Sequence, residues 1–166
     1  MHSAAKRLIK ATQGLLAPIS QTVYPYLSKS AAESKEKALN IIKKLIILVG
    51  SSAFIISLLV FILAAPIVNI VLGSQYQQSI IVLQILAFLP FIIGLSNIFA
   101  VQGLYAFRFQ WVVPRFVIPI AFFHLFLLCV LTHFYSLVGT AIAAIIIEIL
   151  ITLFSIKYFS KFILKR

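Results

Sequence analysis

The sequence predicts an all-α polytopic membrane protein, and three observations support this class. Of the 166 residues, 63% are hydrophobic and 10% are charged, whereas soluble domains are about half apolar and about a quarter charged. No Asp, Glu, Lys or Arg occurs between Lys44 and Arg108, or between Arg115 and Glu148. A soluble domain of this size could not remove so much apolar surface from water. A soluble enzyme, a disulfide-rich secreted domain and a disordered tail are therefore excluded.

The apolar runs divide into about five helices of membrane-spanning length, which requires about 20 residues each. The first charge-free run is too long for one helix, and the turn-like segment 73–79 splits it. The second run is split near 133–136. The predicted spans lie near residues 8–28, 45–72, 80–106, 112–133 and 137–158. Aromatic residues occur at several of these ends, as is typical of membrane interfaces: Tyr76, Tyr105, Trp111, Tyr135 and Tyr158.

The first span is more polar than the others. On a helical projection its polar side chains share one face, and they include Lys10, Gln13, Ser20, Gln21 and Tyr24. Two interpretations are open: a helix that lines a wet cavity within a larger bundle, or an amphipathic helix on the membrane surface. A cleaved signal peptide is disfavoured, because Pro18 and neighbouring polar residues interrupt any apolar region.

The basic residues predict the orientation of the spans. Residues 29–44 carry five lysines and are predicted to form a basic loop, and Arg108, Arg115 and the C-terminal tail are also basic. The intervening segments 73–79 and 134–136 carry no charge. The positive-inside rule therefore predicts a cytoplasmic loop at 29–44 and a cytoplasmic C-terminus. The net charge of +11 is thus attributed to membrane orientation, not to nucleic-acid binding.

Several short motifs, taken together and in order, resemble the polysaccharide (O-antigen) flippases of the multidrug/oligosaccharidyl-lipid/polysaccharide exporter superfamily. Pro18-Ile19, Gln21, Tyr24-Pro25 and Leu27-Ser28 resemble the end of a family helix that turns into a basic cytoplasmic loop. The Gly-x-x-Tyr turn at 73–76, the helix start at 82–86 and the small-residue turn at 135–143 also match the family pattern. Glu148 lies where members often carry Glu.

The resemblance implies the C-terminal part of a two-bundle flippase in the bacterial inner membrane. The implied substrate is an undecaprenyl-pyrophosphate-linked oligosaccharide, moved by alternating access. The implied partners are the lipid bilayer, a missing N-terminal half and other polysaccharide-assembly proteins. We therefore expect a truncated C-terminal portion that does not transport alone. The alternatives are a drug exporter, a peptidoglycan-precursor flippase, a non-transporting subunit of a glycosyltransferase complex, or a gene remnant.

Glu148 is the only acid within an apolar span, and it is a candidate for proton coupling. A carboxylate inside a bilayer is costly unless it is paired, hydrated or protonated. His124 lies on the preceding span at a matching distance from the turn near 135–136, so an antiparallel hairpin would place the two at one depth. Helix rotation decides whether they face each other, and a facing His–Glu pair could share a proton. The alternatives are a protonated Glu148 that bonds a neighbouring helix and a His124 that bonds a carbonyl or faces headgroups.

Arg108 and Arg115 flank the start of the fourth predicted span and are candidate phosphate contacts, because a guanidinium can fork onto phosphate oxygens. The alternative is positive-inside anchoring.

A ridge of mostly small and hydroxyl side chains on the last span predicts close helix packing: Ser136, Thr140, Ala144, Glu148 and Thr152. The sequence carries no metal, nucleotide or nucleophile motif, so we predict no cofactor, no catalytic residue and no enzymatic activity.

Overall fold

A computed structural model describes residues 23–71 and 73–165. Every regular element in these residues is helical. Together with the long apolar helices below, this confirms the prediction of an all-α polytopic membrane protein. Helix α1 covers residues 23–33, α2 Lys35–Ile62, α3 Ala64–Val71, α4 Gln78–Leu86, α5 Leu89–Asn97 and α6 Val112–Phe159. A 3-10 turn covers Ser74–Tyr76, and π-helical turns cover Ile98–Leu104 and Ser160–Leu164.

Residues 29–44, predicted as a basic loop, are helical except at Ser34. Ser34 has an extended backbone and caps α2, because its side-chain oxygen accepts a hydrogen bond from the Lys37 N–H at 3.4 Å. Glu36 in the first turn suits the positive end of the helix dipole. All five lysines of the segment are exposed, and they lie on a pair of helices rather than on a loop.

Two of the helix breaks lie just before a proline. Pro66 has no N–H to bond the carbonyl four residues earlier, and the chain leaves helical geometry at Leu63, between α2 and α3. Pro90 lies in the first turn of α5, after the break at 87–88. Pro119 by contrast lies inside α6 without interrupting it.

Helix α6 is a hairpin of two antiparallel arms, residues 112–135 and 137–159. Ser136 has non-helical angles, φ 49° and ψ −122°, and reverses the chain. Phe116 on the first arm stacks on Phe154 and Tyr158 of the second, with ring centroids 6.0 and 5.5 Å apart. Phe116 lies 20 residues before Ser136, and Phe154 and Tyr158 lie 18 and 22 residues after it, so the arms run side by side.

Within residues 23–71 and 73–165, three helical stretches are long and apolar enough to cross a membrane: Lys35–Ile62, Gln78–Leu104 and Val112–Leu164. The third has 53 residues, about 80 Å of helix at about 1.5 Å per residue, and it turns back at Ser136. Large apolar side chains cover the outside, and Ile70 is 84% exposed and Phe134 72% exposed. Such a surface suits lipid rather than water.

Antiparallel helices gather the basic residues of the described part of the chain at one end, which we call the basic end. Its core contains Leu27 from α1, Ala38 and Ile42 from α2, Leu104, and Phe159 from the second arm. The uncharged turns at 73–77 and 133–136 lie at the opposite end. Gly73 forms the first of these turns with φ 95°, a conformation that glycine adopts readily.

Candidate functional site

The hairpin brings Glu148 and His124 to the walls of one cavity of about 260 Å³, here called the inner cavity. Both lie twelve residues from Ser136, one on each arm. Both side chains are half-buried. The other described lining residues are apolar, and two of them belong to α5: Leu89, Ile93, Val117, Ile120, Ala121, Ala144, Ile147 and Ile151.

The second arm is fixed against α5 beside the inner cavity by Thr152. Its hydroxyl lies 2.8 Å from the Glu148 carbonyl oxygen and 3.2 Å from the Ile92 carbonyl oxygen, and both can accept its hydrogen bond. The first contact is within the helix and the second joins two helices. Because Ala144 and Glu148 of the predicted ridge also line the cavity, this part of the ridge faces the bundle, while Ser136 is exposed.

The described lining of the inner cavity contains two titratable side chains, Glu148 and His124. Small-molecule sites usually enclose about 300–1,000 Å³, so about 260 Å³ suits several waters better than a saccharide. A carboxyl group and an imidazole in one apolar cavity can hold or pass a proton between them or through water. Among the described residues no group of His, Cys, Asp and Glu could hold a metal ion.

A second, wider cleft of about 630 Å³ lies at the basic end, and we call it the basic-end cleft. Residues from α1, from the connection between the π-helical turn and α6, and from the start of α6 line it: Tyr24, Ser28, Tyr105, Arg108, Gln110, Trp111 and Pro114. The connection is a compact turn, in which the Phe109 N–H donates to the Leu104 carbonyl at 2.7 Å and the Arg108 N–H to the Tyr105 carbonyl at 3.0 Å. Arg108 has φ 63° at its apex.

The two predicted phosphate contacts have different positions. Arg108 lines the basic-end cleft, whereas the Arg115 guanidinium carbon lies 4.4 Å from the centroid of the Trp111 ring and outside the lining. Both arginines are exposed. The structure therefore brings Arg108 and Tyr24 together and leaves Arg115 in a cation–π contact.

Of the five predicted cavity-lining residues in the first segment, only Tyr24 lies within the described part of the chain. Lys10, Gln13, Ser20 and Gln21 fall outside it, and so does most of the first predicted span. Tyr24 is half-buried in the wall of the basic-end cleft, and Leu27 on the same helix is fully buried in the core.

Sequence reasoning did not select four residues of the basic-end cleft that carry polar groups as site residues: Ser28, Tyr105, Gln110 and Trp111. Trp111 was recognised only as an interfacial aromatic residue. A combined signal was present, since the chain's single tryptophan lies between the two arginines of a short basic connection. The sequence did not predict that α1 lies across the cleft from that connection.

Comparison with known proteins identifies two curated relatives, both named "Putative O-antigen transporter". The Escherichia coli K12 protein is 31% identical over 150 residues, which is 90% of this chain and 36% of the relative. The Shigella dysenteriae protein is 33% identical over 157 residues, which is 93% of this chain and 38% of the relative. No family model matches the chain, and no solved structure matches it. The chain thus spans under two-fifths of the length of these relatives.

Proposed function

We propose that this chain is part of a lipid-linked oligosaccharide flippase. About nine-tenths of its length is similar to two proteins named "Putative O-antigen transporter". This similarity agrees with the family resemblance seen in the sequence. The substrate is an undecaprenyl-pyrophosphate-linked repeat unit of surface polysaccharide, moved across the bacterial inner membrane. The similarity to the two relatives is the observation that carries this proposal. A transporter of this kind needs no catalytic residue or cofactor in this chain.

In this proposal Glu148 and His124 couple transport to protons. They share the inner cavity, and its apolar walls make the charge of Glu148 costly, so that gaining or losing a proton changes how stable the surrounding packing is. Thr152 ties the same turn of helix to α5. A change at Glu148 is therefore placed to bias the packing of the hairpin against α5, as alternating access requires.

The transport function can be tested in a bacterial strain that lacks its own O-antigen transporter. A chimera that joins the N-terminal part of the E. coli relative to this chain should restore surface O-antigen, read from the lipopolysaccharide ladder on a gel. The matched control joins the same N-terminal part to an unrelated helical segment of equal length. Absence of the ladder from a chimera that accumulates in the membrane would contradict the proposal, and drug resistance or rescue of peptidoglycan synthesis instead would redirect it.

The orientation is a separate prediction. The basic end carries the exposed lysines of α1 and α2, Arg108 and Arg115, so it should face the cytoplasm. A reporter fused after Arg166 should score as cytoplasmic, and one inserted at the exposed Gln77 should score as periplasmic. Scores on the same side for both positions would contradict the orientation and the number of crossings between them.

A further inference from the structure

From the lining of the basic-end cleft, we infer that it binds the sugar-diphosphate head of an amphiphilic ligand. In this site Arg108 contacts phosphate, Trp111 provides the surface for the sugar, and Arg115 positions Trp111. The inference rests on the proposed function for the ligand class and on the cleft itself for the residue roles. The inference gives Arg108 and Arg115 different roles, whereas the sequence alone made both of them candidate phosphate contacts.

The size and position of the cleft suit a head group. A volume of about 630 Å³ lies within the range of small-molecule sites, about 300–1,000 Å³, and is well above that of the inner cavity. The cleft lies at the basic end, where a lipid head group would be if the apolar helices span the bilayer. A ligand held there keeps its polar head out of the hydrocarbon while its chain follows the apolar outer surface.

The charge of the cleft favours an anion. Among the described residues, Arg108 is the only charged one in the lining, and Glu33, Glu36 and Glu148 are not in it. Tyr24, Ser28 and Gln110 add hydroxyl and amide donors around Arg108. A planar guanidinium surrounded by neutral donors is suited to oxygen atoms of phosphate, which accept charge-assisted hydrogen bonds.

The backbone at Arg108 is an independent observation. Its φ of 63° is in the left-handed region, where glycine is favoured and a long side chain is disfavoured. The turn itself therefore gives no reason for an arginine at this position. Residues with a strained backbone tend to cluster at functional sites, so an arginine at this position in the lining of a cleft supports a role in binding.

Trp111 is held in place by contacts outside the cleft lining. The Arg115 guanidinium lies 4.4 Å from the centre of the indole ring, and the Phe162 ring meets it edge-on with centroids 5.7 Å apart. Trp111 itself lines the cleft and is 46% exposed. An indole that is fixed in this way offers an apolar ring surface and one N–H donor, the two groups that contact the C–H faces and hydroxyls of a sugar.

The binding test uses Trp111 as its own reporter, because the chain has one tryptophan. The full chain in phosphatidylcholine nanodiscs is titrated with geranyl-diphosphoryl-N-acetylglucosamine, and Trp111 fluorescence is recorded. We expect a saturable change. Inorganic pyrophosphate, which lacks the sugar, should bind more weakly, and nanodiscs that contain phosphatidylglycerol should not reproduce the change without added ligand. No saturable change, or equal affinity for pyrophosphate, would overturn the inference.

Variants of Arg108 separate binding from folding. Arg108→Gln should weaken both the sugar diphosphate and pyrophosphate about tenfold or more, because a charge-assisted contact is lost. Arg108→Gly should weaken them equally while the protein stays at least as resistant to heat, because glycine suits the backbone there. The matched control is Lys161→Gln, which removes an exposed charge from the same end but outside the lining. Binding by both Arg108 variants at the level of the control would overturn the inference.

Variants of Arg115 test the positioning role. Arg115→Gln should weaken the sugar diphosphate but leave pyrophosphate affinity unchanged, and it should increase quenching of Trp111 by acrylamide. Arg115→Lys should rescue both readouts in part, because lysine also forms a cation–π contact. Equal loss for both ligands would show that Arg115 binds phosphate directly and would overturn the assigned roles. If the chimera fails to restore O-antigen while the cleft binds the sugar diphosphate, the proposed transport function is wrong and the binding site is supported. If the chimera restores O-antigen while the cleft binds nothing, the transport function is supported and the binding site is wrong.

Discussion

Replacing Glu148 with glutamine is expected to reduce transport by the chimera to the level of the strain without a transporter, while the protein still accumulates in the membrane. Glutamine has nearly the same shape as glutamate but cannot release a proton. Glu148 is half-buried in the inner cavity with His124, so no other acid can replace it there. The measurement is the lipopolysaccharide ladder, followed by uptake of labelled lipid-linked oligosaccharide into inverted vesicles with and without a proton gradient.

Two controls make the Glu148 result specific. Glu36→Gln removes an exposed acid at the start of α2 and should leave transport unchanged. Glu148→Asp keeps a titratable group and should retain part of the gradient-dependent transport. Normal transport by Glu148→Gln at every pH would contradict the coupling role. Loss of the folded protein would instead assign Glu148 to helix packing, as the alternative interpretation holds.

The position of the hairpin could be predicted from the sequence because hydropathy sets the length of each arm. Two apolar runs of similar length on either side of 133–136 require a reversal between them, and the structure places it at Ser136. The depths of His124 and Glu148 follow from that symmetry. Their directions do not, because hydropathy carries no information about how two almost uniformly apolar helices rotate, and that rotation decides which side chains line the inner cavity.

Local interruptions of the helices were predictable only where chemistry forces them. Pro66 and Pro90 lack an N–H donor, and the chain breaks before both. Pro119 lies within the first arm of α6, which continues through it without a break, although its own chemistry is the same, so packing decides the outcome there. The π-helical turn Ile98–Leu104 inserts an extra residue per turn, and no periodicity in an apolar run reveals such an insertion.

The basic-end cleft was beyond sequence reasoning for a different reason. Arg108 and Trp111 are close along the chain, but Tyr24 and Ser28 reach them only because Leu27 and the core of α2 fix α1 at this end. The left-handed backbone of Arg108 is also invisible in composition. Basic residues at a membrane interface are normally explained by orientation alone, and only the three-dimensional arrangement distinguishes Arg108 from Arg115.

Replacing Gly139 with alanine is expected to open the α6 hairpin and to destabilise the fold by about 3 kcal/mol or more. A Cβ atom at Gly139 would overlap the carbonyl group of Leu131 on the first arm. The obstacle is backbone, so no side-chain rotation relieves it, and the arms must separate. Separation would pull Glu148 away from His124 and loosen the stack of Phe116 on Tyr158.

The Gly139 effect can be measured by cross-linking across the hairpin. Cysteines at positions 116 and 158, in a Cys129→Ser background, should react with a short bifunctional reagent in the parent protein and much less with Gly139→Ala present. Gly50→Ala is the matched control, because its Cβ would lie 3.8 Å from the Leu95 side chain, an ordinary packing distance. Ser136→Gly should preserve cross-linking, since Ser136 has φ 49° and glycine relaxes that conformation. Full cross-linking and unchanged heat resistance in Gly139→Ala would show that the arms are farther apart at the turn than the structure places them.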